Sequence, residues 1–154
     1  MSKVLITTSS FKTDASEVKA LEAAGYEIVL NPHKRRLTED EIKELLTPDI
    51  TGLIAGLEPL NRSVLEGTEN LKVISRCGTG MDNVDMDAAQ ERSVKVFNTP
   101  DGPTEAVAEL AIGLMLSVLR GIPLQDRAMR DGGWERPMGG LLGARTLGLI
   151  GLGR

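Results

Sequence analysis

Short apolar runs and helix-period stretches take turns along the first hundred residues of the chain. Lys3-Val4-Leu5-Ile6-Thr7 is β-branched and apolar and opens into the polar Thr8-Ser9-Ser10, which predicts a strand with a loop at its carboxyl end. The runs 26–30, 51–56, 71–75 and 94–97 repeat that pattern. Between them lie helix signals. Asp14 and Glu17 have capping-box spacing ahead of Val18, Leu21 and Ala24, with Gly25 as the stop. Thr38 and Glu41 repeat it ahead of Ile42, Leu45 and Leu46, and Pro48 follows. A short helix is expected near Ser63 to Glu66, and Asp85 caps another that carries Ala88 and Ala89. Five strands alternating with helices predict a parallel sheet covered on both faces, the doubly wound α/β class. Ligands on such sheets sit beyond the carboxyl ends of the strands, where strand order reverses. The loops at that edge are Thr7–Ser10, Gly56–Pro59, Arg76–Gly80 and Asn98–Pro103.

The pattern changes after residue 103. Thr104 is the expected cap of the longest helix, which runs to Arg120 and stops at Gly121. Val107, Leu110, Ala111, Leu114, Met115 and Val118 form one apolar stripe, widened by Ala106, Ile112 and Leu119. Such a helix either covers the sheet or lies between two layers or two subunits. Pro123 opens a further helix to Asp131, and Gly132-Gly133-Trp134 ends it, with Trp134 read as a loop anchor. A glycine-bearing link, Met138 to Ala144, leads to an apolar run from Thr146 that is expected to form a strand. That run enters Gly151-Leu152-Gly153, the first two glycines of the dinucleotide fingerprint G-x-G-x-x-G, although two glycines in a loop are also an ordinary turn. The third glycine, the helix whose N–H groups face a pyrophosphate, and the acidic residue about 20 positions on are not among the residues read.

Composition narrows the chemistry. A net charge of −4 argues against a nucleic-acid partner, and the one basic cluster, His33-Lys34-Arg35-Arg36, reads as solvated loop charge. No apolar run approaches the roughly 18 residues of a membrane span, so no membrane partner is expected. The Met-Ser-Lys start has no signal-peptide core, and the single Cys77 suits a reducing compartment; a cytoplasmic protein is expected. Cys77 itself reads as a small buried thiol. His33 is the only histidine, and no metal site is expected. A Mg²⁺-dependent receiver site would need acidic residues where Thr7 and Gly56 stand. A flavin-phosphate site on Thr8, Ser9 and Ser10 would want aromatic stacking that four aromatic residues, one Trp, one Tyr and two Phe, hardly supply. Ser75-Arg76-Cys77-Gly78-Thr79-Gly80 is more promising, because successive backbone N–H groups in a glycine-bearing turn make an anion-binding concavity. Arg76 there either adds charge for a ligand or braces the loop through Asp82 or Asp85.

The stretches Val73 to Asp85, Asn98-Thr99-Pro100, Thr104 to Leu110, Gly133-Trp134 and Thr146 to Arg154, in this order, resemble the D-isomer-specific 2-hydroxyacid dehydrogenases, nearest the phosphoglycerate dehydrogenase branch. The resemblance is strong from Leu71 onward and looser before it. It implies a flavodoxin-like substrate-binding domain over residues 1–100, followed over residues 101–154 by an interdomain helix and the first elements of a truncated Rossmann domain. It also implies a small 2-hydroxy or 2-oxo acid as substrate, with Arg76, Cys77, Gly78, Gly80 and Gly56 around it. NAD is the implied cofactor of the family, with Thr79 near the nicotinamide and Gly151, Gly153 and Arg154 at the start of the pyrophosphate loop. The helix from Thr104 to Arg120 matches one that contributes to a homodimer. The apolar Leu147, Leu149 and Ile150 need cover, so the segment after Gly121 is expected either to pack back on its own sheet or to be exchanged with a second chain through the long helix.

Two departures accompany the resemblance. Phosphoglycerate-specific members commonly end the third strand with an arginine and a serine, whereas this chain has Ala55-Gly56-Leu57-Glu58-Pro59. The family's catalytic arginine, glutamate and histidine belong beyond residue 154, and His33 is read as lying on the wrong side of a strand–helix connection to replace the histidine. The expectation is therefore the N-terminal portion of an NAD-dependent oxidoreductase acting on the CH–OH group of a small 2-hydroxy acid, with no catalytic residue of its own, no tightly bound NAD and no activity alone. The alternative is a non-catalytic small-anion-binding or dimerisation domain of the same fold.

Overall fold

The structure is a computed structural model that describes residues 2–8, 11, 14–151 and 153. The chain divides into two compact units, Met1–Pro100 and Asp101–Arg154.

The first unit is a five-stranded sheet with every pairing parallel: β1 (Lys3–Ile6), β2 (Glu27–Leu30), β3 (Ile50–Ala55), β4 (Val73–Arg76) and β5 (Lys95–Asn98), in the order β2-β1-β3-β4-β5. The helices between them are α1 (Ser16–Ala23), α2 (Glu39–Leu45), α3 (Arg62–Glu66) and α4 (Met86–Glu91). The chain steps one way along the sheet from β1 to β2 and the other way from β2 through β5. Right-handed crossovers in opposite directions put their helices on opposite faces. One register row, Leu5, Leu53, Ile74 and Val96, packs with Ile42 of α2, Val64 and Leu65 of α3, and Ala88 and Ala89 of α4 in a single cluster. Burying such side chains is worth roughly 1.5–3 kcal/mol each. On the other face, Ala20 and Leu21 of α1 border a cavity of about 700 Å³ together with Val4, Thr51 and Val73.

Local signals set the helix ends where a side chain can reach. Thr38 and Glu41 form a reciprocal capping box, Asn61 accepts from Val64 N, and Asp85 accepts from Ala88 N. Two expected caps are corrected. Ala15, with no side-chain bond, precedes α1, so Asp14 is not its cap; and the long helix starts after Pro103, leaving Thr104 as its first residue instead of its cap.

The second unit holds α5 (Thr104–Arg120), α6 (Ile122–Arg130) and a 3₁₀ turn, Leu142–Ala144. Gly121 joins the helices at φ +61°, a left-handed residue that ends α5 as glycine does at this position. Gly139 lies so close to α5 that an added Cβ would sit 2.9 Å from the Leu119 carbonyl oxygen, and Gly140 N donates to that same oxygen at 2.9 Å. No described residue from 101 onward is buried. Two expectations fail here. Trp134 is 78% exposed and anchors nothing, and the run from Thr146 forms no strand, with Leu147, Leu149 and Ile150 exposed. A strand needs a neighbour to take its N–H and C=O groups, and none adjoins this run among the described residues. No single helix among the described residues is long and apolar enough to cross a membrane; α5 and α6 pass that test only as a pair bent by 61°.

Candidate functional site

Strand order reverses between β1 and β3, so the loops leaving β1, β3 and β4 meet at the switch point of the sheet. A cavity of about 350 Å³ opens there, lined by Thr7, Thr8, Arg35, Arg36, Gly56, Leu57, Glu58, Arg76 and Cys77.

Its floor is polar and already paired. Glu58 is 1% exposed, and its Oε1 accepts from the Thr7 hydroxyl and from Gly56 N at 3.0 Å. Gly56 N also reaches Thr7 Oγ1 at 3.1 Å. Asn83 Nδ2 donates to the Glu58 carbonyl at 2.7 Å and ties the loop after β4 to the loop after β3. A Cβ on Gly56 would sit 3.0 Å from Glu58 Oε2 and 3.3 Å from Thr8 Cα, so glycine is what lets the two loops close. The Gly56 N–H is turned into this network, and the residue serves the cavity as wall.

The loop between β2 and α2 forms one side. Asn31 Nδ2 donates to the carbonyls of Thr7 at 3.0 Å and Arg35 at 2.8 Å, fastening the loop to the end of β1. Arg35 grips Glu41 with both terminal nitrogens, at 2.9 and 2.6 Å. That two-pronged contact, with the Thr38 N–H, holds the Glu41 carboxyl down at about 2, and it raises Arg35 further above its already high range. Among the described residues, Arg36 takes part in no ion pair and its side chain in no hydrogen bond. The cluster His33 to Arg36 is exposed loop charge, as expected, and Arg35 and Arg36 also border the cavity. The place of His33 is corrected: its loop leaves the carboxyl end of β2, on the same edge as the cavity, and its Nδ1 lies 3.5 Å from Glu41 Oε1.

The loop after β4 supplies the third side. Arg76 is 9% exposed, its Nη1 donates to the Cys77 carbonyl at 2.5 Å, and its buried Nε has no partner among the described residues. Neither expected brace, Asp82 or Asp85, reaches it. Gly78 stands at φ +142°, and a Cβ there would collide with the Arg76 guanidinium, so this arginine can lie against the loop only because residue 78 has no side chain. Cys77 is partly exposed, correcting the expectation of a buried thiol, and its N donates to Ala55 O at 2.8 Å. Gly78 N donates to Thr99 Oγ1 at 2.8 Å, Thr79 Oγ1 to Pro100 O at 3.1 Å, and Asn98 Nδ2 to Thr79 O at 2.8 Å. The N–H groups of Thr79 and Gly80 donate to no group among the described residues. Of the expected substrate residues, Arg76, Cys77 and Gly56 thus share the cavity, and Gly78 and Gly80 lie in the adjoining turn.

Gly151 and Gly153 belong to the second unit. Gly151 has φ +88°, and, chain neighbours aside, no atom of the described residues lies within 4 Å of a Cβ built on either glycine. Arg154, like Ser9 and Ser10, is outside the described residues. Among the described residues no group of three or more His, Cys, Asp or Glu side chains is placed to hold a metal ion.

Residues 4–147 match the family described as D-isomer specific 2-hydroxyacid dehydrogenase, catalytic domain. Human D-3-phosphoglycerate dehydrogenase is 39% identical over 155 residues, covering 99% of this chain and 28% of the human protein. The hydroxypyruvate reductase of Thermotoga maritima is 34% identical over 141 residues, covering 86% of the chain and 46% of its own length. The NAD⁺-bound 3-phosphoglycerate dehydrogenase of Entamoeba histolytica superposes with a TM-score of 0.67 at 30% identity, covering 77% of this chain and 39% of that one. The chain thus spans about 28% of the length of the human and chimpanzee phosphoglycerate dehydrogenases it matches.

Proposed function

The chain belongs to the D-isomer specific 2-hydroxyacid dehydrogenase family, and we propose that it supplies the acid-binding part of an NAD-dependent oxidoreductase related to phosphoglycerate dehydrogenase. The reaction is oxidation of the CH–OH group of a small 2-hydroxy acid, or its reverse. Residues 1–100 are the substrate-binding domain in this reading, and residues 101–154 are the interdomain helix and the start of the NAD-binding domain.

The observation that carries it is the loop Arg76–Gly80, where the unclaimed N–H groups of Thr79 and Gly80 follow a buried arginine on the carboxyl edge of the sheet. Two adjacent N–H donors suit one carboxylate. Arg76 adds charge, and Cys77, Gly78 and Gly56 shape the wall. Thr79, Gly151, Gly153 and Arg154 are assigned to the NAD side. When bound, NAD exchanges a hydride with C2 of the acid; the residues named here hold and orient that acid. The left-handed Gly151 fits the first turn of a pyrophosphate loop, and the open space around both glycines fits a close backbone approach. The grip of a helix N-terminus on the phosphates is not among these residues, and the one histidine is engaged with Glu41. The 154 residues by themselves are therefore expected to bind NADH weakly and to reduce no 2-oxo acid.

The exposed Val107, Leu110, Leu114 and Val118 on α5 support a homodimer formed through Thr104–Arg120, with the segment after Gly121 exchanged between chains. They equally favour the second reading, a non-catalytic anion-binding or dimerisation domain. The free thiol of Cys77 fits a reducing, cytoplasmic setting.

Titration of the ¹⁵N-labelled chain with D-glycerate tests the acid site: the largest amide shifts are expected at Thr79 and Gly80, and shifts confined to other loops would refute it. Following NADH absorbance with hydroxypyruvate separates the two readings, since turnover by the 154-residue chain would overturn the inactivity assigned to it.

A further inference from the structure

Phosphoglycerate-like acids carry a second anionic group, and the end of β3, with Gly56 and a buried Glu58, offers that group no cation. Other residues lining the same cavity do. Arg35 and Arg36 come from the loop between β2 and α2, and three arginines and one glutamate line the same space of about 350 Å³. The two loop arginines are not equivalent. Arg35 is fixed in a two-pronged contact with Glu41, and its Nη1 also donates to the Arg36 carbonyl at 3.0 Å, so it holds the loop. Arg36 follows it with its side chain bonded to nothing among the described residues. Asn31 fixes the loop from its other end, against Thr7. Buried Arg76 borders the same space and leaves Nε without an acceptor among the described residues, an independent observation that fits an anion in the cavity.

We propose that Arg36, on a loop held by Arg35–Glu41 and Asn31, is the specificity residue for a second anionic group, a phosphate or a carboxylate, at the far end of the 2-hydroxy acid. The proposal rests on the assignment of the first carboxylate to Thr79 and Gly80. A forked guanidinium matches either anion, and the preorganised loop lowers the ordering cost of the contact.

The test compares D-glycerate, D-3-phosphoglycerate and D-malate on the 154-residue chain at low salt, with affinities from amide shifts. The wild-type chain is expected to bind 3-phosphoglycerate, D-malate or both roughly tenfold more tightly than D-glycerate, and whichever shows the preference identifies the second group. Arg36→Gln should abolish that preference and leave D-glycerate affinity within about twofold, whereas Lys95→Gln, which removes a charge at the amino edge of β5, should preserve it. Because the Arg36 side chain is exposed and bonded to nothing among the described residues, the substitution leaves the fold intact, as unchanged amide spectra will verify. Equal affinity for all three acids, or an Arg36→Gln loss shared by D-glycerate, overturns the proposal while shifts at Thr79 and Gly80 keep the acid site standing. If no acid moves Thr79 and Gly80, the acid site and this inference fall together.

Discussion

The two units of this chain solve the same problem with opposite results. Residues 2–100 and residues 101–151 both carry strong hydrophobic patterns, yet the first unit buries Leu5, Ile42, Leu53, Leu65 and Ile74 to within 1% exposure and the second buries nothing. The difference lies in what each pattern has available to pack against. Each strand of the first unit has a paired neighbour and a helix within a few residues of sequence, so its apolar row closes on itself. α5 is apolar over much of its circumference and, within its own unit, meets α6, a glycine-bearing segment and a 3₁₀ turn, none of which buries it. A hydrophobic pattern specifies a helix; burial needs a second surface.

The sharpest break of the comparison is a matched pair of truncations. Leu53→Ala in the first unit should lower unfolding free energy by about 2–5 kcal/mol, whereas Leu114→Ala on α5 should change the monomer by less than about 0.5 kcal/mol. Urea melts at low protein concentration read both. If Leu114 proves as costly as Leu53, its exposure is not that of the folded molecule in solution. Sedimentation at high concentration extends the contrast, because Leu114→Ala should weaken a dimer built on α5.

A smaller effect is expected where the first unit is polar inside. Thr7→Ala removes the hydroxyl that bonds buried Glu58 and should cost about 1–3 kcal/mol, with amide shifts concentrated at Gly56 and Glu58. An unchanged melt would mean that water replaces the hydroxyl. The smallest effect concerns pH. The Glu41 carboxyl stands at about 2 against its usual 4.5, so the contribution of the Arg35 contact and the capping box is complete above about pH 4.5 and is lost as pH falls through about 2. Carboxyl-carbon NMR should give a midpoint near 2, and a midpoint near 4.5 would show that Arg35 does not hold the loop in solution.

Much of the fold was legible because its signals are local. Thr38 with Glu41, Asp85 before Ala88 and Gly121 after α5 sit within a turn of the groups they satisfy. The misread caps at Asp14 and Thr104 have the right residue types and spacing but not the backbone geometry, and spacing alone cannot report that. The candidate site divides in the same way. The glycine turn at Gly78–Gly80 is visible as a motif, whereas Arg35 and Arg36 read only as solvent-facing charge until Asn31 fastens their loop to the end of β1, 24 residues earlier. Nothing near Glu58 in sequence announced that its carboxylate is buried against Thr7, 51 residues away.

The order of residues by itself determined the alternation of strand and helix, the parallel class of the sheet and which loops share its carboxyl edge, because periodicity, caps and right-handed crossovers act over a few residues at a time. Only the tertiary structure decided which charges share a cavity, which N–H groups are already taken and which apolar face goes unburied. Those are properties of groups far apart in sequence, and they are set by the sheet order β2-β1-β3-β4-β5 that brings the ends of β1, β3 and β4 together.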